Sequence, residues 1–142
     1  MTSLNNTVVE CRRIGKRYGS VAAVYDFSFE LQPGEILSIL GPSGSGKTTM
    51  LRLIAGFESV DAGEIIIDER LVSGPYVHVP PDQREVGMVF QEYALFPHKT
   101  VSENVSFGLQ RLSGGERRGR TAEVLDLVGL AGLEHRYPHE LS

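Results

Sequence analysis

Gly41-Pro42-Ser43-Gly44-Ser45-Gly46-Lys47-Thr48-Thr49 is the stretch of sequence that decides the fold. It satisfies the pattern G-x-x-x-x-G-K-[ST], in which a glycine-rich loop leads into a helix. The apolar run 35–40 before it is typical of a buried parallel strand. Residues 49–55 after it, closed by Gly56, are typical of a helix with a glycine cap. The order strand, glycine loop, helix predicts a phosphate-binding loop.

The residue types of this loop fit phosphate chemistry. Its glycines allow the backbone to wrap a phosphate closely, and the following helix presents its positive N-terminal end. Lys47 would reach the β- and γ-phosphates of a nucleotide, the Thr48 hydroxyl would bind Mg²⁺, and Thr49 could add a hydroxyl to the α-phosphate. The plainer alternative is a turn that only joins a strand to a helix. The flanking elements favour nucleotide binding.

Composition limits the other classes of function. The chain has 142 residues, 41% hydrophobic and 23% charged, with a net charge of −4. This acidic balance offers no broad basic surface for nucleic acid or anionic lipid. The single cysteine, Cys11, excludes an internal disulfide and suits a reducing compartment. We see neither a secretory leader nor an apolar run of bilayer-spanning length, so we expect any role at a membrane to come through a partner protein.

The rest of the chain is predicted to alternate strands, turns and short helices. The predicted strands are residues 8–12, 25–31, 64–68 and 86–90, with a turn at 14–19, a helical turn at 81–84, and helices at 104–109, 120–128 and 131–136. Gln91 follows the strand 86–90, where ligand-contacting residues of open α/β sheets collect. Thr100-Val101-Ser102-Glu103 is a capping box ahead of the first of these later helices. An antiparallel sheet is therefore expected around the strand–loop–helix unit.

Taken together, these motifs resemble one family, the ATP-binding subunits of ABC transporters. The resemblance covers nearly the whole chain and is most similar to the import branch that serves polyamines, ferric iron, sulfate or sugars. Besides the glycine loop it rests on Lys16-Arg17-Tyr18-Gly19, Leu31-Gln32-Pro33-Gly34-Glu35, Leu53-Ile54-Ala55-Gly56, Asp61-Ala62-Gly63-Glu64-Ile65, Val86-Gly87-Met88-Val89-Phe90-Gln91, Phe96-Pro97-His98, Val101-Ser102-Glu103-Asn104-Val105 and Tyr137-Pro138-His139-Glu140-Leu141-Ser142.

The resemblance implies an α/β fold: a P-loop NTPase (RecA-like) core with an antiparallel β subdomain and the start of a helical subdomain, truncated. We expect residues 1–98 to form the nucleotide-binding core with the β subdomain and the loop that contains Gln91. We expect residues 99–142 to form a partial helical subdomain that ends at the start of the family's signature motif.

Residue roles also follow from the resemblance. Tyr18 resembles the aromatic residue that stacks on adenine, and a flat aromatic face suits a flat base. Gln91 resembles the glutamine that contacts Mg²⁺ and the attacking water. Pro97 and His98 correspond to the loop that faces the permease, although a solvated loop histidine is an equal interpretation of His98. Without the resemblance, Tyr18 would be interpreted as a packed turn residue and Gln91 as a polar strand end.

The implied cofactors and partners are those of an importer. They are ATP and Mg²⁺, transmembrane permease subunits, and a second ATPase subunit, identical or paired, that would complete the site. No nucleic acid and no direct membrane insertion are expected. The implied location is cytoplasmic, peripheral on the inner face of the membrane through the permease.

Leu112-Ser113-Gly114-Gly115-Glu116 matches four of five positions of the family's Leu-Ser-Gly-Gly-Gln signature. We interpret it as a surface linker, because the signature should begin a helix directly after a Tyr-Pro segment, where Leu141-Ser142 stands. If the chain is complete, the Walker B aspartate, the catalytic glutamate and the switch histidine are missing. No catalytic residue beyond Gln91 is then assignable, and we expect the chain alone to bind nucleotide weakly, hydrolyse it poorly and expose apolar strand edges.

Three alternatives stay open at this point. A nucleotide-binding fragment without turnover has the same sequence features, and a phosphate-release assay separates it from an ATPase. A non-transport ABC ATPase is disfavoured by the acidic charge and by Phe96-Pro97-His98. An unrelated P-loop kinase is disfavoured because antiparallel strands precede the loop and no arginine-rich lid is seen.

Overall fold

The computed structural model describes residues 7–141, and the chain divides into two compact units, Met1–Met88 and Val89–Ser142. Ser142, the second residue of the predicted signature start, lies outside the described residues. The domain boundary predicted after residue 98 stays a prediction. The two units are taken one at a time below.

The first unit contains a five-stranded antiparallel sheet with the strand order β2-β1-β3-β4-β5. The strands are β1 Val9–Tyr18, β2 Val21–Leu31, β3 Ala62–Ile67, β4 Arg70–Gly74 and β5 Val77–His78. The strand expected at 25–31 is confirmed as part of β2, and the strand expected at 64–68 is confirmed up to Ile67 as part of β3, with Asp68 in the turn that follows. The short strands β4 and β5 were not predicted, because turn residues such as Gly74-Pro75 dominate that stretch.

β1 is longer than the sequence indicated, and the turn predicted at 14–19 is wrong. The strand continues to Tyr18 through shifts of register against β2, where Ile14 pairs with Phe27 and Lys16 with Val24. Arg13 takes a positive φ of 49° at one of these shifts. A β-bulge adds a residue without ending the strand, so glycine and charged residues that are typical of a turn are accommodated inside β1.

The helix α1, Lys47–Ala55, buries one face in the core of this unit. Met50 and Leu53 lie in a cluster with Cys11, Ile14 and Val24 of the sheet. The predicted helix and its glycine cap are confirmed, because the structure ends α1 at Gly56 in the left-handed conformation with φ 89°. Burial, followed by the charge of Glu10, raises the pKa of the Cys11 thiol to about 12.

The parallel strands predicted at 35–40 and 86–90 are not formed as strands in residues 7–141. Both segments are irregular, and Ile36 and Val89 are 94% and 95% exposed. Parallel strands depend on hydrogen bonds from neighbours distant in sequence, and the sheet of this structure pairs neither segment. Apolar runs of this kind identify strand-forming sequence but do not supply the partner.

The second unit contains two α-helices, α2 Val101–Val105 and α3 Gly114–Leu127. A 3₁₀ turn, Ser106–Leu109, follows α2, and another, Pro138–Glu140, lies near the end of the chain. The capping box predicted at Thr100 and Glu103 is confirmed. The helix predicted at 131–136 is wrong, because this segment forms successive turns, with a positive φ at Gly132 within it and at Gly129 just before it.

The segment Leu112–Glu116 is exposed, as predicted, but it is not a linker throughout, because its last three residues already belong to α3. Ser113 is the N-cap of α3, and the helix begins at Gly114, six residues before the predicted start. The Ser113 hydroxyl accepts the Glu116 backbone N–H, and the Glu116 carboxylate accepts the Ser113 N–H. This reciprocal pair is a capping box, a local signal that outweighs the two glycines behind it.

Candidate functional site

The loop 41–46 delivers the chain directly into α1, with open backbone donors at the junction. Gly44 and Gly46 take positive φ values of 79° and 88°, a conformation that residues with a β-carbon rarely adopt. Gly46 is the N-cap of α1, and no side chain caps this helix end. The first-turn N–H groups therefore lie at a helix N-terminus without a side-chain acceptor, which is the arrangement that binds phosphate.

Gly46 is also required by the sheet beneath the loop. A β-carbon at this position would overlap the backbone carbonyl oxygen of Ala23 on β2. Val24, the next residue of β2, is buried in the core below α1. The antiparallel strand β2 therefore sets the height at which α1 begins, a contact that the loop pattern alone does not reveal.

Lys47 points its ammonium group across the mouth of the loop. Its Nζ lies 2.8 Å from the carbonyl oxygen of Gly41, 2.6 Å from that of Pro42 and 3.3 Å from the Ser45 hydroxyl. Thr48 follows it in the first turn of α1 and is exposed. A cation and a hydroxyl thus stand side by side at the same helix end, as phosphate and Mg²⁺ binding require.

Every loop residue predicted for nucleotide binding lies within this one junction. Ser43, Gly44 and Ser45 form its exposed tip, and the half-buried Thr49 sits one position behind Thr48 in α1. The space around the tip is open, because a β-carbon added at Gly44 would meet no atom within 4 Å. The loop therefore has the backbone, the cation and the open face that a triphosphate needs.

Tyr18 ends β1 in the same unit as the loop. Its side chain is 44% exposed, so part of the ring is available to a ligand. The Nζ of Lys16 lies 5.6 Å from the centre of the ring. An aromatic ring held at a strand end by a cation is suited to stacking on a flat base.

Gln91 belongs to the second unit and does not lie at a strand end. It is exposed and begins a turn, residues 91–94, in which Tyr93 and Ala94 take positive φ values of 60° and 49°. The position expected from the apolar run 86–90 is thus corrected, and the role of Gln91 stays a prediction.

The loop that contains Pro97 and His98 is held from below by one side chain. Asn104 accepts the Phe96 backbone N–H at 2.9 Å and donates to the carbonyl oxygens of Phe96 and Lys99 at 3.1 and 3.0 Å. The rings of Phe96 and His98 lie 6.1 Å apart, edge to face. His98 itself is exposed. The loop is therefore a defined surface feature of this unit.

Two residues near the site were missed by sequence reasoning. Lys16 was assigned to a turn, although the alternation of a strand places it on the same side as Tyr18 and could have found it. Arg84 is 3% exposed and donates to backbone carbonyls around the end of α1, including that of Leu53 at 2.7 Å. No sequence pattern marks an arginine as buried, since this depends on the tertiary contacts.

The family model described as ABC transporter matches residues 24–142. The chain is 52% identical over 139 residues to the spermidine/putrescine import ATP-binding protein PotA of Methylococcus capsulatus, covering 96% of this chain and 35% of that protein. It is 43% identical over 141 residues to the Fe(3+) ions import ATP-binding protein FbpC of Haemophilus influenzae, covering 98% of this chain and 40% of that protein. The chain thus spans little more than a third of the length of these relatives.

A solved structure supports the fold assignment. A dimeric ATP-binding cassette in a post-hydrolysis state with bound ADP and Pi superposes with a TM-score of 0.80 at 31% identity. The superposition covers 94% of this chain and 63% of that one. The predicted P-loop fold with an antiparallel β region is confirmed by this likeness.

Proposed function

Because the chain belongs to the ABC transporter family, we propose that it binds ATP through the loop 41–49 and that, in the whole protein, ATP hydrolysis drives solute import. The observation that carries the proposal is the junction of loop and helix. The N-terminus of α1 is free of side-chain caps, and Lys47 stands at its first position with its ammonium at the loop mouth. This arrangement offers both dipole and charge to the same anion.

Within the junction, different residues would contact different phosphates of ATP. The backbone from Gly41 to Gly46 wraps the phosphates, and the Ser45 hydroxyl lies 3.3 Å from the Lys47 ammonium at the mouth of the loop. Lys47 exchanges its carbonyl partners for phosphate oxygens, which are stronger acceptors because they are charged. The hydroxyl of Thr49 contributes a further donor for the α-phosphate.

Tyr18 supplies the base contact. The partly exposed ring at the end of β1 lies in the same unit as the phosphate loop, and stacking on it needs no hydrogen-bond pattern from the base. Because stacking depends on the area of contact and not on hydrogen bonds, the ring would favour a purine, which is larger, over a pyrimidine.

In the first unit we propose the Thr48 hydroxyl as a Mg²⁺ ligand, and in the second unit Gln91 is proposed as a ligand on the family resemblance. Their hydroxyl and amide oxygens are the hard ligands that this ion accepts alongside phosphate oxygens and water. When bound, the ion would neutralise charge that develops on the phosphates during hydrolysis. Gln91 would additionally orient the attacking water, and the turn 91–94 that it begins would sense the permease.

Import, rather than another use of ATP, is supported by the names of the relatives, which describe import ATP-binding proteins. The partners are transmembrane permease subunits, contacted by the loop that carries Pro97 and His98, and a second ATPase subunit, since a solved relative is dimeric. Within residues 7–141 no helix has the length and apolar composition needed to cross a bilayer. The proposed location is the cytoplasmic face of the membrane, with attachment through the permease.

The proposal is tested by nucleotide titration of Lys47→Ala. Loss of the cation should weaken ATP binding at least about tenfold, because a charged hydrogen-bond partner of the phosphates is removed. Arg52→Ala is the matched control, since it removes one positive charge from the exposed last turn of the same helix. Equal ATP affinities of Lys47→Ala and the parent chain would overturn the proposal.

Turnover is a separate measurement. Poor hydrolysis by the chain alone stays a prediction, which a phosphate-release assay tests directly. Rapid release that Lys47→Ala abolishes would refute poor hydrolysis and support ATP binding at the loop.

A further inference from the structure

We propose that Lys16 is a positioning residue that holds the Tyr18 ring for base stacking and ties it to the segment that follows α1. This inference rests on the proposed function, because it assumes that Tyr18 contacts the nucleotide base. It goes further because it names a residue outside the phosphate loop that affects the contact with the base separately from the contacts with the phosphates.

The first observation is the burial of the Lys16 ammonium among fixed acceptors. The residue is 9% exposed, and its Nζ donates to the carbonyl oxygen of Ser59 at 2.8 Å and to Asp61 Oδ1 at 3.4 Å. Glu58 Oε2 lies 3.6 Å from the same nitrogen. A lysine removed from water needs such partners to offset its desolvation. Two hydrogen-bond acceptors and one further carboxylate, all within residues 58–61, hold the ammonium in place.

The second observation is the contact between this ammonium and Tyr18. The Nζ lies 5.6 Å from the ring centre, within the range of a cation–π interaction. Lys16 and Tyr18 are two positions apart on β1 and therefore project from the same side of the strand. Because the ammonium is fixed by other groups, it restricts the orientation of the ring instead of following it.

The third observation is that Asp61 also fixes the backbone around Lys16. Its Oδ2 accepts the Arg17 N–H at 2.7 Å, and its own N–H donates to the Gly15 carbonyl oxygen at 2.9 Å. The hydrogen bond from the Arg17 N–H, more than the ion pair with Lys16, lowers the pKa of the Asp61 carboxyl. The carboxylate thus stays charged at neutral pH and holds the strand directly before Tyr18.

The segment that carries these acceptors continues directly from α1. The N–H groups of Phe57 and Glu58 both donate to the Arg52 carbonyl oxygen, so the chain folds back on the last turn of the helix. The other end of α1 carries Lys47 and the phosphate loop. Tyr18 is therefore linked through Lys16 to the helix that binds phosphate, and the base and phosphate contacts are held in one assembly within the first unit.

If Lys16 positions the ring, its removal should weaken binding of ATP but not of inorganic tripolyphosphate, which has no base. We expect Lys16→Met, which keeps the apolar stem, to bind Mg²⁺–ATP about three- to tenfold more weakly, the range of a desolvated cation–π contact. Its affinity for Mg²⁺–tripolyphosphate should stay within about twofold of the parent chain. Lys16→Arg, which retains a cation beside the ring, should recover part of the ATP affinity.

Lys99→Met is the matched control. Lys99 also lies over an aromatic ring, with its Nζ 5.9 Å from the centre of Phe107, but in the second unit. Its substitution should change neither affinity. Tyr18→Ala in the same titrations should show the selective loss of ATP affinity in full.

The outcomes separate the inference from the proposed function. Unchanged ATP affinity in Tyr18→Ala would show that Tyr18 does not contact the base, and would overturn that part of the proposed function. Selective loss in Tyr18→Ala with unchanged ATP affinity in Lys16→Met would overturn only the inference, as would an equal loss of ATP and tripolyphosphate affinity in Lys16→Met. If Lys16→Met does not fold, Asp61→Asn takes its place, since it removes a charged partner of the ammonium and should give the same selective loss.

Discussion

The Nη1 atom of Arg84 lies 2.7 Å from the carbonyl oxygen of Leu53, in the last turn of α1. The same guanidinium donates to the carbonyls of Ile54, Val72 and Val79. Its positive charge stands at the negative end of the helix dipole, and burial lowers the pKa of the group. Arg84 therefore joins the helix of the phosphate loop to β4 and to the chain beyond β5.

Arg84→Met should lower the free energy of unfolding by about 3 kcal/mol, because several buried carbonyls lose their donor at once. Urea unfolding measures this loss. Arg70→Met is the control, since the exposed Arg70 side chain donates to one carbonyl, that of Gln83 at 3.2 Å, and should cost less than about 0.5 kcal/mol. Similar losses in the two variants would mean that the carbonyl cluster contributes little.

Gly46→Ala should both unfold the start of α1 and abolish ATP binding. The added β-carbon would meet the Ala23 carbonyl, which cannot move without displacing β2, and the residue keeps a φ of 88°. Gly34→Ala is matched in conformation, with a φ of 79°, but meets no atom within 4 Å, so it should cost only about 1–2 kcal/mol. Melting temperatures and ATP titrations of both variants separate the effect of the steric overlap, present only in Gly46→Ala, from the effect of the positive φ, present in both. Equal effects would contradict the role given to β2.

Ser113→Ala should destabilise α3 without changing ATP affinity in the isolated chain. The hydroxyl caps the helix by accepting the Glu116 N–H, and loss of such a cap costs about 1 kcal/mol. Thermal unfolding and nucleotide titration measure the two properties separately. A large drop in ATP affinity would show that this signature-like segment contacts nucleotide.

The capping box of α3 should make stability depend on pH. Hydrogen bonds with Ser113 lower the pKa of the Glu116 carboxyl in the folded chain. The charged form therefore stabilises the fold above the unfolded pKa of about 4.3, and this contribution is lost as pH falls through the lower folded value. Urea unfolding between pH of about 5 and 3 should show a shallower decline for Glu116→Gln than for the parent chain.

Glu103→Gln, at the corresponding box of α2, provides a second test. Hydrogen bonds with Thr100 lower the pKa of Glu103 in the same way, so the change of slope should have the same sign. Parallel pH profiles for the parent chain and both variants would rule out the boxes as a source of acid sensitivity.

The features that could be predicted from sequence are those set by neighbouring residues. The Gly56 cap of α1 and the box of Thr100 and Glu103 are complete within a few positions, and both are confirmed. Ser113 and Glu116 form a capping box of the same kind, which predicts a helix start at this segment. The segment was instead interpreted from its likeness to the signature motif, and the helix start was missed. Local hydrogen-bonding chemistry was the better guide to structure at that segment.

The features that could not be predicted depend on distant partners. An apolar run such as 35–40 states a preference for a strand, but pairing decides whether the strand forms. The burial of Arg84 and the overlap at Gly46 likewise arise from residues 31 and 23 positions away, Leu53 and Ala23. At the candidate site, the loop residues were therefore predictable from their motif, whereas the groups that hold α1 and Tyr18 in place were not.

The buried thiol of Cys11 provides a chemical probe of how often the core of the first unit opens. Cys11 is 1% exposed on β1, which pairs with a neighbouring strand on each side, and its raised pKa keeps the thiolate scarce at neutral pH. Alkylation therefore requires opening of the core in which Cys11 packs with Met50 and Leu53 of α1, and the chain has no second cysteine that could be labelled. The rate of labelling, with and without nucleotide, therefore reports how strongly a ligand at the loop suppresses opening of the core beneath α1.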